Sequence, residues 1–133
     1  MTAAYTLIAI ALGGSAGALA RFVMVSLVQQ WSSQHSFWHN LPLGTWLVNV
    51  MGSCLIGILY VLLTEKLLLA DNWRPLLMVG FLGAFTTFSS FSLETLQLLE
   101  RGMGLQALLY TLSSVVFCLL ACWLGMALTR TLA

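Results

Sequence analysis

At residues 83–92 the chain reads GAFTTFSSFS, in the middle of an otherwise apolar segment that runs from Pro75 to Leu99. Membrane-spanning helices favour leucine, isoleucine, valine and phenylalanine, whereas this stretch interleaves its phenylalanines with hydroxyls and glycine. Irregular backbone survives at membrane depth only where protein buries it or where it lines a cavity. The stretch therefore predicts a third span whose helix breaks in the middle of the membrane and forms a site there.

The composition of the whole chain predicts an integral membrane protein. Of its 133 residues, 60% are hydrophobic and only 7% are charged. A soluble domain of this size could not cover so much apolar surface with so few charges. The formal net charge of +1 gives no basic surface for nucleic acid.

Four apolar segments predict an all-α polytopic bundle, a single domain over residues 1–133 with both termini on one side of the membrane. The segments cover approximately residues 4–28, 43–64, 75–99 and 103–128, and a span needs roughly 20 residues. The first has neither a basic flank nor a small-residue cleavage site, so we expect a retained span and not a signal peptide.

Orientation in the membrane is weakly encoded. One side would hold Lys66, Arg74 and Arg130; the other would hold Arg101, joined by Arg21 if that side chain snorkels outward. Two interpretations stay open. The chain is simply poor in charge, or it inserts both ways and pairs with an inverted copy of itself.

Two charged residues fall within the predicted spans. Arg21 lies late in the first span and Glu94 late in the third, and because these spans run in the same direction both fall near the same face. Charged residues within spans usually pair or line a water path. We therefore expect Arg21 and Glu94 in one polar layer, with Arg21 either anchoring its helix or lining a pathway.

Uncharged donors occur on the other two spans. Asn49 lies early in the second span and Tyr110 early in the fourth, and Ser114 and Cys118 follow Tyr110 at steps of four, on one helical face. One hydroxyl stripe alone is usually interhelical packing. As a set, amide and hydroxyl donors suit an anion, and the predicted spans hold neither a histidine nor a carboxylate pair for proton coupling.

The phenylalanines of the third span add a second feature suited to an anion. Phe88 and Phe91 are neighbours on one helical face, and Phe85 continues the spacing backwards. Such a row alone would indicate core packing, but the interleaved hydroxyls favour a pathway. Ring edges carry partial positive charge and can favour an anion without holding it tightly. Carbonyls freed by a broken helix would suit a small hard cation such as Na⁺.

Other chemistry has little support in the sequence. His35 and His39 are four apart in a loop without cysteine or carboxylate partners, which is a weak zinc signal. The three cysteines, Cys54, Cys118 and Cys122, lie in apolar segments, where packing is their usual role. Because the sequence has no nucleophile elbow, phosphate-binding loop or glycine fingerprint, we do not expect an enzyme.

Three motifs together resemble those of the Fluc-type fluoride channels, also called CrcB proteins. They are GGSAGALARF at residues 13–22, PLGTWLVNVMGS at residues 42–53 and GFLGAFTTFSSF at residues 80–91. The third motif is the most specific, and motif order, spacing and span count agree over nearly the whole chain.

The resemblance implies a passive fluoride channel in a bacterial inner membrane, built as an antiparallel homodimer with two pores and no organic cofactor. Asn49 would donate to fluoride, and Phe88 and Phe91 would form an aromatic box. The carbonyls of Gly83 and Thr86 would hold a structural Na⁺ on the dimer axis. The expected fluoride pathway comprises Arg21, Asn49, Phe88, Ser89, Ser90, Phe91, Glu94, Tyr110, Ser114 and Cys118.

Two other classes of protein remain as alternatives. A small dual-topology drug/proton exchanger has a similar size and span count, but it needs a carboxylate in the first span, where this chain has Arg21. A non-transporting scaffold protein would explain the small residues of the first span. It would not explain the run of hydroxyl and phenyl groups at residues 85–92.

Overall fold

The computed structural model describes residues 2–34, 41–66 and 73–132, and every element within them is helical. The α-helices are α1 (Ala3–Ser33), α2 (Leu43–Tyr60), α3 (Gly83–Phe85), α4 (Phe88–Glu100) and α5 (Gly104–Leu132). A π-helical segment, Val61–Glu65, extends α2, and a π-helix, Pro75–Leu82, leads into α3.

These elements form four stretches that are long and apolar enough to cross a membrane. They are Ala3–Ser33, Leu43–Glu65, Pro75–Glu100 and Gly104–Leu132. The prediction of an all-helical protein with four membrane-spanning segments is confirmed. The first helix continues past residue 28, because helical hydrogen bonds are internal and do not need an apolar environment. His35 and His39 lie outside the described residues.

Helical geometry is lost at two residues of the third stretch. Thr86 has φ −86° and ψ 159°, and Thr87 has φ −152° and ψ 117°, so both are extended. The next helix then begins at Phe88 with Thr87 as its N-cap, because the Thr87 hydroxyl accepts from the amide of Ser90 at 3.1 Å. A residue type that favours helix starts therefore lies at the point where α4 begins.

Glycines bring the helices into backbone contact. A Cβ atom on Gly17 of α1 would collide with the carbonyl of Phe81 in the π-helix. On the other side of the bundle, Gly57 of α2 lies directly against the backbone of Cys122 in α5. Because lipid is as apolar as leucine, close packing of this kind stabilises helix pairs in a membrane.

Two buried clusters lie on either side of the interruption. Phe91, Leu98, Ala107 and Tyr110 join α4 to α5, whereas Val48, Leu82 and Phe85 lie between α2 and the first half of the third stretch. The Phe85 ring stacks on Phe81, with centroids 5.7 Å apart. The expectation that Phe85 continues the phenylalanine row is wrong, since helical spacing does not carry across extended backbone.

A tight turn sets the course of the last helix. Gly102 has φ +74°, a conformation that glycine adopts without strain. Its amide donates to the carbonyl of Leu99, and the amide of Met103 donates to that of Leu98, both at 2.9 Å. This pairing is the Schellman motif, and it lets α5 return directly against α4.

Candidate functional site

A cavity of about 340 Å³ adjoins the interruption in the third stretch. The third stretch contributes Gly83, Thr86, Thr87, Phe88 and Phe91 to the lining, and α2 and α5 contribute Asn49, Gly52, Ser114 and Cys118. The cavity therefore brings together Asn49, both phenylalanines, Ser114 and Cys118 from the expected pathway. It also includes both residues expected to offer carbonyls to a cation.

The side-chain amide of Asn49 forms two hydrogen bonds with the backbone of Thr87. Its Nδ2 donates to the Thr87 carbonyl at 3.0 Å, and its Oδ1 accepts from the Thr87 amide at 2.8 Å. The Thr87 amide has left the helical hydrogen-bond pattern and needs a partner, because buried backbone groups are nearly always paired. One Nδ2 hydrogen is used in this pair, and a primary amide carries a second.

These side-chain contacts divert two helical hydrogen bonds. In a continuous α-helix the amide of Thr87 would donate to the carbonyl of Gly83, and that of Ser90 to the carbonyl of Thr86. Here the Thr87 amide donates to Asn49, and the Ser90 amide donates to the Thr87 hydroxyl. The carbonyls of Gly83 and Thr86 therefore lose their helical donors.

Arg21 reaches the interruption from α1. Its Nη1 donates to the carbonyl oxygen of Thr86 at 3.4 Å. That carbonyl lies just after the C-terminal end of α3, where unpaired carbonyls concentrate negative charge and a cation is favourable. The position of Arg21 late in the first span gave no hint of this contact, because the partner lies 65 residues further along the chain.

Phe88 and Phe91 are neighbours, as the sequence predicts. Their ring centroids are 5.4 Å apart, with planes at 44°. Their environments differ, since Phe91 is buried and its ring also contacts that of Tyr110 at 5.3 Å. Phe88 is 78% exposed on the single chain. One ring is thus fixed in the core and the other forms an open edge of the cavity.

Glu94 and Tyr110 belong to a separate polar cluster. Glu94 accepts from the Tyr110 hydroxyl through Oε2 at 2.8 Å and from the Thr45 hydroxyl through Oε1 at 2.7 Å. Neither Glu94 nor Tyr110 is part of the described lining of the cavity. Sequence reasoning missed Thr45, although its position four residues before Asn49 places both on one face of α2.

The hydroxyls near the cavity fall into two groups. At the start of α4, the Thr87 hydroxyl donates to Ser90 Oγ at 3.0 Å and lies 3.3 Å from Ser89 Oγ, so both serines belong to the capping cluster. On α5, Ser114 Oγ is buried and has no hydrogen-bond partner among the described residues. An unpaired buried hydroxyl in a cavity wall needs an explanation, and a bound ligand or water would supply one.

Comparisons with known proteins agree with the sequence motifs. Residues 8–126 match the model of a protein family described as CrcB-like protein, Camphor Resistance (CrcB). A fluoride-specific ion channel FluC from Methylococcus capsulatus is 50% identical over 128 residues, which cover 96% of this chain and 54% of that protein.

Two further relatives are matched over almost their whole length. The fluoride-specific ion channel FluC of Magnetococcus marinus is 46% identical over 121 residues, covering 91% of this chain and 94% of that protein. That of Hahella chejuensis is 45% identical over 124 residues, covering 93% and 94%. The chain thus spans about half the length of the Methylococcus relative and nearly all of the other two.

Proposed function

This chain belongs to the CrcB-like family, and from that membership and the cavity at residues 83–91 we propose that it is a passive, fluoride-selective ion channel that exports cytoplasmic fluoride. The proposal depends on one observation: three kinds of group suited to an anion line the same cavity. These are the amide of Asn49, the rings of Phe88 and Phe91, and the hydroxyl of Ser114. A channel of this kind is not an enzyme.

The chemistry of the cavity suits a small, strongly hydrated anion. A pore must replace the water around fluoride with donors and still let the ion leave. The buried hydroxyl of Ser114 and the second N–H of Asn49 are neutral donors. Phenyl edges add weak positive potential without a fixed charge. A line of fixed cations would instead trap the ion.

The proposed working unit is an antiparallel homodimer with two pores. On one chain the edge of the cavity is the 78% exposed ring of Phe88, so the wall is incomplete at that point. A second, inverted copy would close it. The chain has only five lysine and arginine residues, and the small positive-inside bias that they can give agrees with insertion in both orientations. We place the dimer in a bacterial inner membrane with the interruption near its midplane.

A sodium ion is part of the proposal as a structural ion at the dimer centre. The carbonyls of Gly83 and Thr86 lack the amide donors that a continuous helix would give them. Carbonyl oxygens are ligands of the type that a hard cation prefers. When bound, the ion would neutralise the partial negative charge of these carbonyls. Two copies would together present four such oxygens on the axis.

A liposome assay tests the proposed activity against the alternative. Vesicles containing the purified protein are loaded with potassium fluoride, and fluoride release is recorded with an electrode after valinomycin is added. A channel releases fluoride whether or not a protonophore is present. A drug/proton exchanger depends on the proton gradient, and the scaffold protein releases nothing. Either of these last results would exclude the channel.

A further inference from the structure

We propose that two side chains outside the cation's ligand set control, with opposite signs, how tightly the interrupted span holds sodium: Asn49 raises the affinity and Arg21 lowers it. The inference rests on the proposed sodium ion and goes beyond it, because it assigns positioning roles to residues that do not themselves bind the ion. It concerns the affinity for the cation and not the rate of fluoride conduction.

Asn49 acts through the amide of Thr87. This amide is the natural helical donor to the carbonyl of Gly83, but it donates to Asn49 Oδ1 at 2.8 Å. Thr87 is only 7% exposed, so its amide has little access to water. Without the side-chain acceptor, the nearest way to satisfy the amide is to rebuild the helical bond to Gly83. That bond would occupy the carbonyl and remove a ligand from the cation.

The second hydrogen bond of Asn49 makes this arrangement stable. Nδ2 donates to the carbonyl of Thr87 at 3.0 Å, which fixes the amide plane and keeps Oδ1 directed at the Thr87 N–H. A side chain that only accepts would preserve the diversion of the amide. A side chain that neither accepts nor donates would lose it. The two properties of Asn49 can therefore be separated by substitution.

Arg21 acts through the carbonyl of Thr86. Its guanidinium donates to that oxygen at 3.4 Å, and the same oxygen is a proposed ligand of sodium. A carbonyl oxygen has two lone pairs and can contact both, but two cations at one oxygen repel each other. The guanidinium of Arg21 is a cation, so it repels a sodium ion at this oxygen. The positive charge of Arg21 therefore lowers the affinity of this carbonyl for sodium.

The test measures sodium binding through stability, without fluoride and without transport. Thermal unfolding of the purified dimer is followed while sodium chloride replaces choline chloride at constant ionic strength. A ligand bound only by the folded state stabilises it by RT ln(1 + [L]/Kd), so the transition temperature rises with sodium concentration. The dissociation constant for sodium obtained by fitting this relation to the titration is the quantity compared between variants.

Arg21→Gln and Arg21→Lys form one matched pair. Removal of the positive charge beside the proposed sodium ligand should lower the dissociation constant for sodium by roughly threefold or more. Arg21→Lys keeps the charge and should stay near the native value. An unchanged or higher dissociation constant in Arg21→Gln would overturn the role of Arg21, whatever the absolute stability of the variant.

Asn49→Leu and Asn49→Asp form the second pair. Asn49→Leu should weaken sodium binding by roughly tenfold, because the hydrogen bond that keeps the Thr87 amide away from the Gly83 carbonyl is lost. Asn49→Asp keeps an acceptor for the Thr87 amide and should retain the sodium response. Equal responses in the two variants would overturn the role of Asn49. If Asn49→Leu does not fold, loss of the sodium response in Asn49→Asp would also overturn the role of Asn49.

The same experiment separates this inference from the proposed channel activity. A native protein that releases fluoride from vesicles but shows no sodium-dependent stabilisation would overturn the inference and the proposed sodium ion, and would leave the proposed channel activity standing. A protein that responds to sodium as described but retains fluoride would support the inference and contradict the channel.

Discussion

The hydroxyl of Tyr110 donates to Oε2 of Glu94 at 2.8 Å, across the contact between α5 and α4. The ring of Tyr110 lies against that of Phe91, with centroids 5.3 Å apart. The ring of Tyr110 therefore packs against the buried ring of Phe91, while its hydroxyl donates to the carboxylate of Glu94. Because the hydroxyl proton of Tyr110 is directed at Glu94, we expect the residue to support the Phe91 ring and not to donate to the ion.

Tyr110→Phe tests that assignment. The ring contact with Phe91 remains, while Glu94 loses one of its two side-chain donors and keeps the one from Thr45. Loss of a buried hydrogen bond to a charged group costs roughly 1–3 kcal/mol. We expect a lower unfolding temperature together with retained fluoride release from vesicles. Unchanged stability with abolished release would mean that the hydroxyl serves the ion directly.

Phe88→Ile and Phe91→Ile remove the two ring edges in turn. Each should reduce fluoride release by about tenfold, equivalent to roughly 1.4 kcal/mol of lost stabilisation along the path. Phe91→Ile should also lower the stability of the chain itself, because Phe91 is buried against Tyr110, whereas Phe88 is exposed on the single chain. Flux is compared at equal protein incorporation.

Leu93→Ile is the matched control for these two variants. Leu93 lies on the same helix, is exposed, and is not part of the described cavity lining. Its substitution should leave release and stability unchanged. Native rates in both phenylalanine variants would remove the rings from the pathway.

The contact of α1 with the π-helix depends on glycine at position 17 but not at position 14. Gly17→Ala should destabilise the protein by roughly 1–3 kcal/mol, because the new Cβ collides with the backbone of Phe81 and must force the helices apart. At Gly14 the nearest atom to a new Cβ is the Gly80 carbonyl oxygen at 4.0 Å. Gly14→Ala should therefore be neutral, or stabilising through its higher helix propensity. Equal unfolding temperatures would refute the close approach of α1.

Thiol chemistry can report on the cavity, because Cys118 lines it beside Ser114. A small methanethiosulfonate reagent should slow fluoride release as the Cys118 thiolate displaces methanesulfinate and forms a mixed disulfide that narrows the space. Cys118→Ser should be resistant, whereas Cys54→Ser, a change at the contact of α2 with α5, should remain sensitive. Sensitivity that follows Cys54 instead would place the pathway elsewhere.

The helical architecture and the phenylalanine pair were predictable because they depend on local periodicity. Hydropathy alone indicates four spans, and three-residue spacing alone brings Phe88 and Phe91 together. The hydroxyl that caps α4 is equally local, since Thr87 and Ser90 are three residues apart.

The partners of the polar side chains were not predictable, since they depend on the register between spans. Asn49 and Thr87 are 38 residues apart, and nothing in either segment specifies that an amide meets an extended backbone. Phe85 shows the opposite error. The three-residue spacing was extended to Phe85 across a break in the helix, although the Phe85 ring stacks on Phe81.

The most direct measurement is the simultaneous release of fluoride and chloride from vesicles that contain only the purified protein and equal amounts of both salts. We expect rapid loss of fluoride while chloride stays inside, because neutral donors and ring edges at a narrow cavity select the smaller anion. Retention of fluoride at verified incorporation, or equal loss of both halides, would contradict it.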